Sequence, residues 1–328
     1  MNTEALLQRI QGLTLLVIGD TLLDHYVWGD ATRISPEAPV PIVRVERDAY
    51  VAGGAANVAL NLRALGCDVW LAGHIGEDPE GERLRAILTK AGVRLPEQPL
   101  PRPAPTILKT RVMCRNQQLC RLDREAPPER YALAPTWIRR HLTDRIAAVD
   151  AIVLSDYAKG VVTRGLIRHV QAEARRHGRP VALDPKPRRE LVFKEIDWMT
   201  PNRQEALQLA RMADIDPAAT FPRAEVCRRI HARYRPALLV VTLGADGMLV
   251  SPRAGEARLI PTMAREVFDV SGAGDTVIAT LSAALAAGAD TDAAARLANL
   301  AAGVVVGKIG TAVASPDEIL ALQQEHSG

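Results

Sequence analysis

The chain predicts an α/β fold: a doubly wound, mostly parallel sheet with helices on both faces and a small β-sheet lid. Three observations carry that expectation. Short apolar runs alternate with helical segments, as in a buried parallel sheet. Asp24 follows Gly19 by five residues at the carboxyl end of the first strand, the place at which such sheets gather ligands. Two proline-bearing insertions without helical periodicity interrupt the alternation.

In chain order, Leu13 to Ile18 is a strand run closed by Gly19. Residues about 24–51 carry Pro36, Pro39 and Pro41 and end in the alternating run Ile42 to Val45. Gly53 to Leu65 predicts a helix, Asp68 to Ala72 a strand and Pro79 to Ala91 a helix. A connection with Pro96, Pro99, Pro101, Pro103 and Pro105 leads to Thr106 to Met113, a polar turn at Arg115-Asn116-Gln117, and Gln118 to Leu122, which predicts a hairpin. The insertions at about 24–51 and 104–126 are expected to form the lid. The alternation then resumes: Ala151 to Leu154 (strand), Thr163 to His177 (helix), Val181 to Leu183, Trp198 to Thr200 and Ala237 to Val241 (strands), and Ala293 to Val306 (helix).

Composition narrows the function. A net charge of +3, from 41 basic and 38 acidic residues, demands neither nucleic acid nor a membrane surface as partner. The Arg139-Arg140, Arg175-Arg176 and Arg228-Arg229 pairs sit in helical patterns as solvated faces. Cys67, Cys114, Cys120 and Cys227 form no C-x-x-C pair, which argues against structural zinc and a secreted disulfide scaffold. With no signal-like opening and no apolar stretch of about 18 residues, a cytoplasmic protein is expected.

The most informative segment is Glu266-Val267-Phe268-Asp269-Val270-Ser271-Gly272-Ala273-Gly274-Asp275. Small residues leave backbone amides uncovered ahead of an apolar run, Thr276 to Ala287, that predicts a helix ending at Gly288. Amides at a helix start attract anions. A carboxylate at that spot suits a general base facing a hydroxyl that attacks a phosphoryl group. The alternative is a glycine turn with Asp275 as an N-terminal helix charge. Gly53-Gly54 permits close backbone approach, and Asn57 offers an amide to sugar hydroxyls. Asn202 and Glu205 read equally as a capping pair or as an N-x-x-E metal motif, with Asp184 a second carboxylate nearby. Thr242-Leu243-Gly244-Ala245-Asp246-Gly247 reads as a hairpin loop or a nucleotide loop. No G-x-x-x-x-G-K-[ST], H-R-D or D-F-G motif is present, so neither a P-loop nor a protein kinase is indicated.

Asp269-Val270-Ser271-Gly272-Ala273-Gly274-Asp275 resembles the D-x-x-G-A-G-D signature of the ribokinase-like sugar kinases. Gly53-Gly54-Ala55-Ala56-Asn57 is similar to that family's second signature, and the resemblance covers almost the whole chain as one kinase domain, residues 1–328. It is nearest to the heptose-7-phosphate kinase branch. The supporting stretches are Val17-Ile18-Gly19-Asp20 with Asp24, residues Thr32 to Pro41, Arg115 to Leu119, and Leu154-Ser155-Asp156-Tyr157-Ala158-Lys159-Gly160.

The resemblance implies transfer of the ATP γ-phosphoryl to the 1-hydroxyl of D-glycero-β-D-manno-heptose 7-phosphate, a step toward ADP-heptose and lipopolysaccharide inner core. Asp275 is the implied base, with Gly272, Ala273 and Gly274 cradling the transferred group. Asp24, Gly53, Gly54 and Asn57 would hold the sugar, and Arg33, Lys109, Arg111, Arg121, Lys159 and Lys186 are candidates for its phosphate. Asn202, Thr242, Gly244, Gly247 and Asn299 are placed at the nucleotide. Mg²⁺ falls to Glu205 and Asp184 through water, and Asp269 with the Ser271 carbonyl matches a monovalent-cation position, K⁺ in some members. A homodimer through the lid is also implied. The 328 residues carry no H-x-G-H motif, so no adenylyltransferase domain is expected, and a separate phosphatase and nucleotidylyltransferase would complete the pathway. The alternatives are a kinase for ribose, fructose or fructose 1-phosphate, and a non-catalytic nucleotide or sugar sensor.

Overall fold

The computed structural model describes residues 2–96, 104–115, 117–187, 193–215, 220–264, 269–308 and 310–327. Pro99, Pro101 and Pro103, Asn116 of the polar turn, and Glu266 to Phe268 ahead of the glycine turn lie outside the described residues.

Helix α1 (Thr3–Ile10) leads into β1 (Thr14–Gly19), and a single residue, Asp20, separates β1 from the long β2 (Thr21–Ile34). Next come β3 (Pro41–Gly54), α2 (Ala55–Ala64), β4 (Asp68–Ala72) and α3 (Pro79–Lys90). After the lid hairpin β5 (Ile107–Cys114) and β6 (Gln117–Arg124), the chain continues through α4 (Pro135–Ala148), β7 (Ala151–Ser155), α5 (Arg164–His177), β8 (Val181–Asp184) and β9 (Trp198–Met199). The last part holds α6 (Arg203–Leu209), α7 (Arg223–Tyr234), β10 (Leu238–Thr242), β11 (Met248–Pro252), β12 (Arg258–Ile260), α8 (Ala273–Ala286), α9 (Thr291–Val306) and α10 (Pro316–Ser327).

The large sheet has the order β12-β11-β10-β9-β8-β7-β1-β4, parallel from β4 to β10 and closed by the antiparallel β11 and β12. Because side chains alternate along a strand, β1 divides its apolar residues between two layers. Leu15 and Val17 join Leu62, Val277 and Leu281 on one face. Leu16 and Ile18 join Ile138, Leu142 and Ile167 on the other. The doubly wound expectation is met.

The lid is a four-stranded sheet in the order β3-β2-β5-β6. Its insertions form long strands: β2 and β3 pair antiparallel from Thr21↔Gly54 to Ile34↔Pro41, with Pro36 and Pro39 in the turn. Asp24 therefore stands on the lid, not at the end of the first core strand. Likewise Gly53 and Gly54 finish a lid strand instead of opening a helix. The lid keeps Ile34, Val40, Val45, Leu119 and Leu122 exposed.

The carboxyl ends of β1, β7 and β8 are in register, Gly19↔Ser155↔Asp184. Asp20, Asp156 and Asp184 thus converge at one edge, beneath the lid. No helix among the described residues is long and apolar enough to cross a membrane.

Candidate active site

The site lies where α2 and α8 begin, and glycine makes both starts possible. Gly54 has φ +59°, and a side chain there would collide with the Asp20 carbonyl, which also accepts a 3.0 Å bond from the Ala55 amide. Gly272, the N-cap of α8, has φ +81°, and a Cβ would lie 2.7 Å from Asn57 Nδ2. Only glycine leaves room for that amide to pass. α8 starts three residues earlier than the sequence suggested, so Asp275 sits inside its first turn.

Asp275 is 2% exposed, with both oxygens occupied. Asn57 Nδ2 donates to Oδ2 at 2.9 Å, and the Tyr157 hydroxyl donates to Oδ1 at 2.8 Å. Asn57 is itself oriented: Asn61 Nδ2 donates to its Oδ1 at 3.3 Å and to its carbonyl at 3.0 Å, while Thr276 Oγ1 donates to Asn61 Oδ1 at 2.9 Å. Burial pushes the Asp275 carboxyl up to about 7, against the two donated hydrogen bonds, which favour the anion. A carboxylate with its pKa near neutrality is matched to proton transfer in the neutral range.

The glycine turn beside it is only partly as expected. The Ala273 amide donates to the Val270 carbonyl at 3.3 Å, which leaves Gly272 and Gly274 as the turn amides for an anion. A Cβ at Gly274 would meet nothing within 4 Å, so the turn faces open space. Asp269 holds the turn from behind, accepting from the Ser271 amide at 2.9 Å and the Gly310 amide at 3.0 Å. It acts as the buttress.

Under the lid, Asp24 is buried and ion-paired to Arg111 at 2.5 Å. A side chain at Gly53 would strike the Asp24 carboxylate, so glycine is required there by packing. Lys109 lies opposite Asp24 in the β2–β5 register. Burial and the neighbouring Lys159 hold its ammonium below the usual lysine range. Arg111, Lys159 and Lys186 pair with Asp24, Glu125 and Glu205, whereas Lys109 makes no ion pair among the described residues. Arg121 pairs with Asp123. Arg33 is exposed near the far end of β2, nine residues and about 30 Å of strand beyond Asp24. The structure does not bring it to the site.

Asn202 and Glu205 form a complete capping box, with Asn202 Oδ1 accepting from the Glu205 amide and Glu205 Oε2 from the Asn202 amide, both at 2.9 Å. Glu205 Oε1 takes Lys186 Nζ at 2.5 Å. Both Glu205 oxygens are thus engaged. Among the described residues the Asp184 carboxylate accepts a 3.2 Å bond from Thr200 Oγ1, and burial, then the nearby Glu205 and Asp275 carboxylates, push it well above the ordinary carboxylate range. Such an excess of negative charge fits a cation held at Asp184 and, through water, at Glu205. No cluster of three or more ligating side chains stands ready among the described residues.

At the predicted nucleotide loop, Thr242 ends β10 and bridges to Asn202. The hairpin reading holds, because β10 and β11 pair antiparallel across residues 243–247. Gly247 (φ +90°) presses on the Ile260 carbonyl, a structural need, whereas Gly244 (φ +62°) faces open space. Asn299 is buried and donates to the Pro261 carbonyl at 2.6 Å, tying α9 to the chain after β12.

Sequence reasoning missed Tyr157, Asp20, Asn61 and Thr276 as site residues. Asn61 carried a usable signal, since it follows Asn57 by four positions on the same helix face. The stretch containing Tyr157 stood out only as a likeness, and its contact with Asp275 spans 118 residues.

An open α/β sheet with a β lid over a buried, poised carboxylate and a glycine-rich helix start defines a small-molecule kinase. Residues 13–318 match the pfkB family carbohydrate kinase profile, and the chain belongs to that family. It is 42% identical over 321 residues to "Bifunctional protein HldE" of Geotalea uraniireducens, covering 97% of this chain and 64% of that protein. The same-named protein of Methylobacillus flagellatus is 45% identical over 302 residues, covering 90% and 60%. The chain therefore spans less than two thirds of these relatives. Among solved structures, Arabidopsis thaliana ribokinase complexed with ribose and ATP superposes with a TM-score of 0.73 at 20% identity, covering 95% of this chain and 99% of that one. Escherichia coli phosphofructokinase-2 in complex with potassium gives 0.76 at 18%, covering 97% and 100%. These likenesses establish the fold.

Proposed function

We propose that this kinase transfers the γ-phosphoryl of ATP to the 1-hydroxyl of D-glycero-β-D-manno-heptose 7-phosphate, giving the 1,7-bisphosphate and ADP. The observation that carries phosphoryl transfer is Asp275, buried, clamped from two sides and titrating near neutrality at the head of α8. The sugar oxygen attacks the γ-phosphorus in line, the bond to the β–γ bridging oxygen breaks, and ADP leaves. The hydroxyl proton passes to the Asp275 carboxylate. The Gly272 and Gly274 amides and the α8 dipole stabilise charge on the transferred group. Asp184, with Glu205 through water, would hold Mg²⁺, which when bound neutralises charge on the ATP phosphates. Asp269, which accepts the Ser271 and Gly310 amides, and the Ser271 carbonyl remain the candidate position for a monovalent cation.

Two findings favour a phosphorylated heptose. The curated relatives are bifunctional proteins, as are members of the heptose branch that the sequence resembles. The lid also places a half-buried cation, Lys109, beside Lys159 and in no ion pair among the described residues, an arrangement that suits a dianionic phosphate better than a neutral sugar. Lys109 replaces Arg111 and Lys186, both carboxylate-bound, as the first candidate for the 7-phosphate.

Mass spectrometry of products from a panel of free and phosphorylated sugars with ATP tests the assignment. Heptose 7-phosphate is expected to be the preferred acceptor and the 1,7-bisphosphate the end product, with no nucleotide-sugar from these 328 residues. Preference for ribose, fructose or fructose 1-phosphate overturns the substrate. Absence of any transfer favours the sensor. The exposed Ile34, Val45 and Leu122 on the lid support pairing with the lid of a second copy. Light scattering is expected to give twice the chain mass, and the mass of one chain contradicts it.

A further inference from the structure

The geometry points to Tyr157 as a positioning residue for the general base, held in place by a loop that closes around the buried carboxylate of Asp20. The inference rests on the reading of Asp275 as base and adds a group that the phosphoryl-transfer chemistry itself does not require.

Asp20 is wholly buried at the single-residue junction between core strand and lid strand. Its Oδ2 accepts the amides of Tyr157 and Lys159, and its Oδ1 accepts the amide of Val161, all at 2.9 Å. Three backbone donors on one buried carboxylate are charge-assisted and fix the 157–161 loop closely. The same residue extends the connection through its main chain, its amide donating to the Ser155 carbonyl at 3.1 Å and its carbonyl accepting from Ala55 at the start of α2. Asp20 therefore ties together β7, the loop and the helix that carries Asn57.

The loop has the marks of a shape held for a purpose. Ala158 takes φ +57°, a left-handed conformation that is strained for a non-glycine residue. It is held there by Asp156, whose Oδ1 accepts the Ala158 amide at 2.8 Å and whose Oδ2 accepts the Lys186 amide at 3.3 Å. Gly160 has φ +117° and packs against the Pro128 carbonyl so closely that no side chain fits. The result projects the Tyr157 hydroxyl 2.8 Å from Asp275 Oδ1, while Asn57 holds Oδ2. Held at both oxygens, the carboxylate is restricted in rotation about its terminal bond, and the lone pairs left for a substrate proton have a set direction.

Tyr157 is suited to this role because it remains a donor. Burial, then the Asp275 and Asp184 charges, push its phenol well above the ordinary tyrosine range. The charged groups facing Asp275 are Asp24 from the lid, Lys186 after β8 and Asp184 at the end of β8. None of these forms a direct hydrogen bond to it among the described contacts. Tyr157 and Asn57 are the two that do.

The test is Tyr157→Phe, which keeps the ring and removes the hydroxyl, assayed with ATP and heptose 7-phosphate across pH. The expected result is a kcat lowered about ten- to a hundredfold, the equivalent of one hydrogen bond to a charged group, with both KM values within about threefold. The acidic limb of the kcat profile is expected to move to higher pH, because the anion loses a donor. A merely structural tyrosine would lower thermal stability and raise the KM values without moving that limb. Asp275→Asn in the same assay separates the two ideas. If it stays active, the base assignment fails. If it is inactive while Tyr157→Phe has wild-type kcat and pH profile, only the positioning role fails. Asp20→Asn is expected to speed hydrogen exchange at the Tyr157, Lys159 and Val161 amides and to lower kcat in the same direction. Unchanged exchange there would overturn the loop clamp, and should that variant not fold, Tyr157→Phe still decides the positioning role.

Discussion

The bed formed by α2, α8 and the ends of β1, β7 and β8 differs from the lid above it in how its polar groups are satisfied. In the bed, Asp20, Asn57, Asn61, Asp275 and Thr276 are each at most 2% exposed, and their hydrogen bonds form one connected set. On the outer lid, charges meet in separate pairs such as Arg115–Asp30 and Arg121–Asp123, and large apolar side chains face outward. A buried, connected network holds one geometry because every unmade bond is costly there. An exposed sheet with pairwise contacts can be changed locally. Under the proposed function this is a division of labour, in which the bed would set the chemistry and the lid which molecule reaches it.

Breaking the bed gives the largest effect. Asp275→Asn is expected to lower turnover by about 10² to 10⁴, the usual loss for a general base, while ATP affinity stays within a few-fold. A variant retaining more than roughly a tenth of wild-type turnover would contradict the base assignment. Breaking the lid is expected to show in KM. Lys109→Ala should raise the KM for heptose 7-phosphate about ten- to a hundredfold, as for loss of a charge-assisted phosphate contact, and leave kcat nearly unchanged. An unchanged KM would move the phosphate site to Lys159 or another lid cation.

A third effect falls on stability against pH. Asp275 has its folded pKa raised from 3.8 to about 7, so the folded state binds more protons than the unfolded state between those values. Its contribution is fully present below 3.8 and is lost as pH rises through about 7. Denaturant unfolding of the wild type should therefore weaken over that window relative to Asp275→Asn. Parallel stability curves for the two proteins would show that burial does not raise this carboxyl.

Much of this division was legible in the sequence, and the part that was not has a physical cause. Core strands announced themselves because both faces are buried, which makes runs such as Leu15 to Ile18 continuously apolar. Gly272 to Asp275 was legible as a glycine turn with a carboxylate at a helix start, a pattern that also fits a plain N-terminal helix charge. The lid was underestimated: β2 and β3 run 14 residues each, but their faces are unevenly buried and their alternation is broken by bulges after Trp28 and Ala31. For Asn202 and Glu205, one pattern served two readings, and the structure realises the cap. Asp20 and Tyr157 were invisible as partners because their roles arise from contacts across 137 and 118 residues. Nothing local in either stretch encodes those distances.

Calorimetric titration of heptose 7-phosphate into Asp275→Asn and Lys109→Ala, side by side with the wild type, tests the separation of bed from lid most directly. Wild-type affinity within a few-fold is expected for Asp275→Asn, although it scarcely turns over, and affinity at least about tenfold weaker for Lys109→Ala. Affinity lost in Asp275→Asn and retained in Lys109→Ala would contradict it, because the buried bed would then be selecting the sugar phosphate and the lid would not.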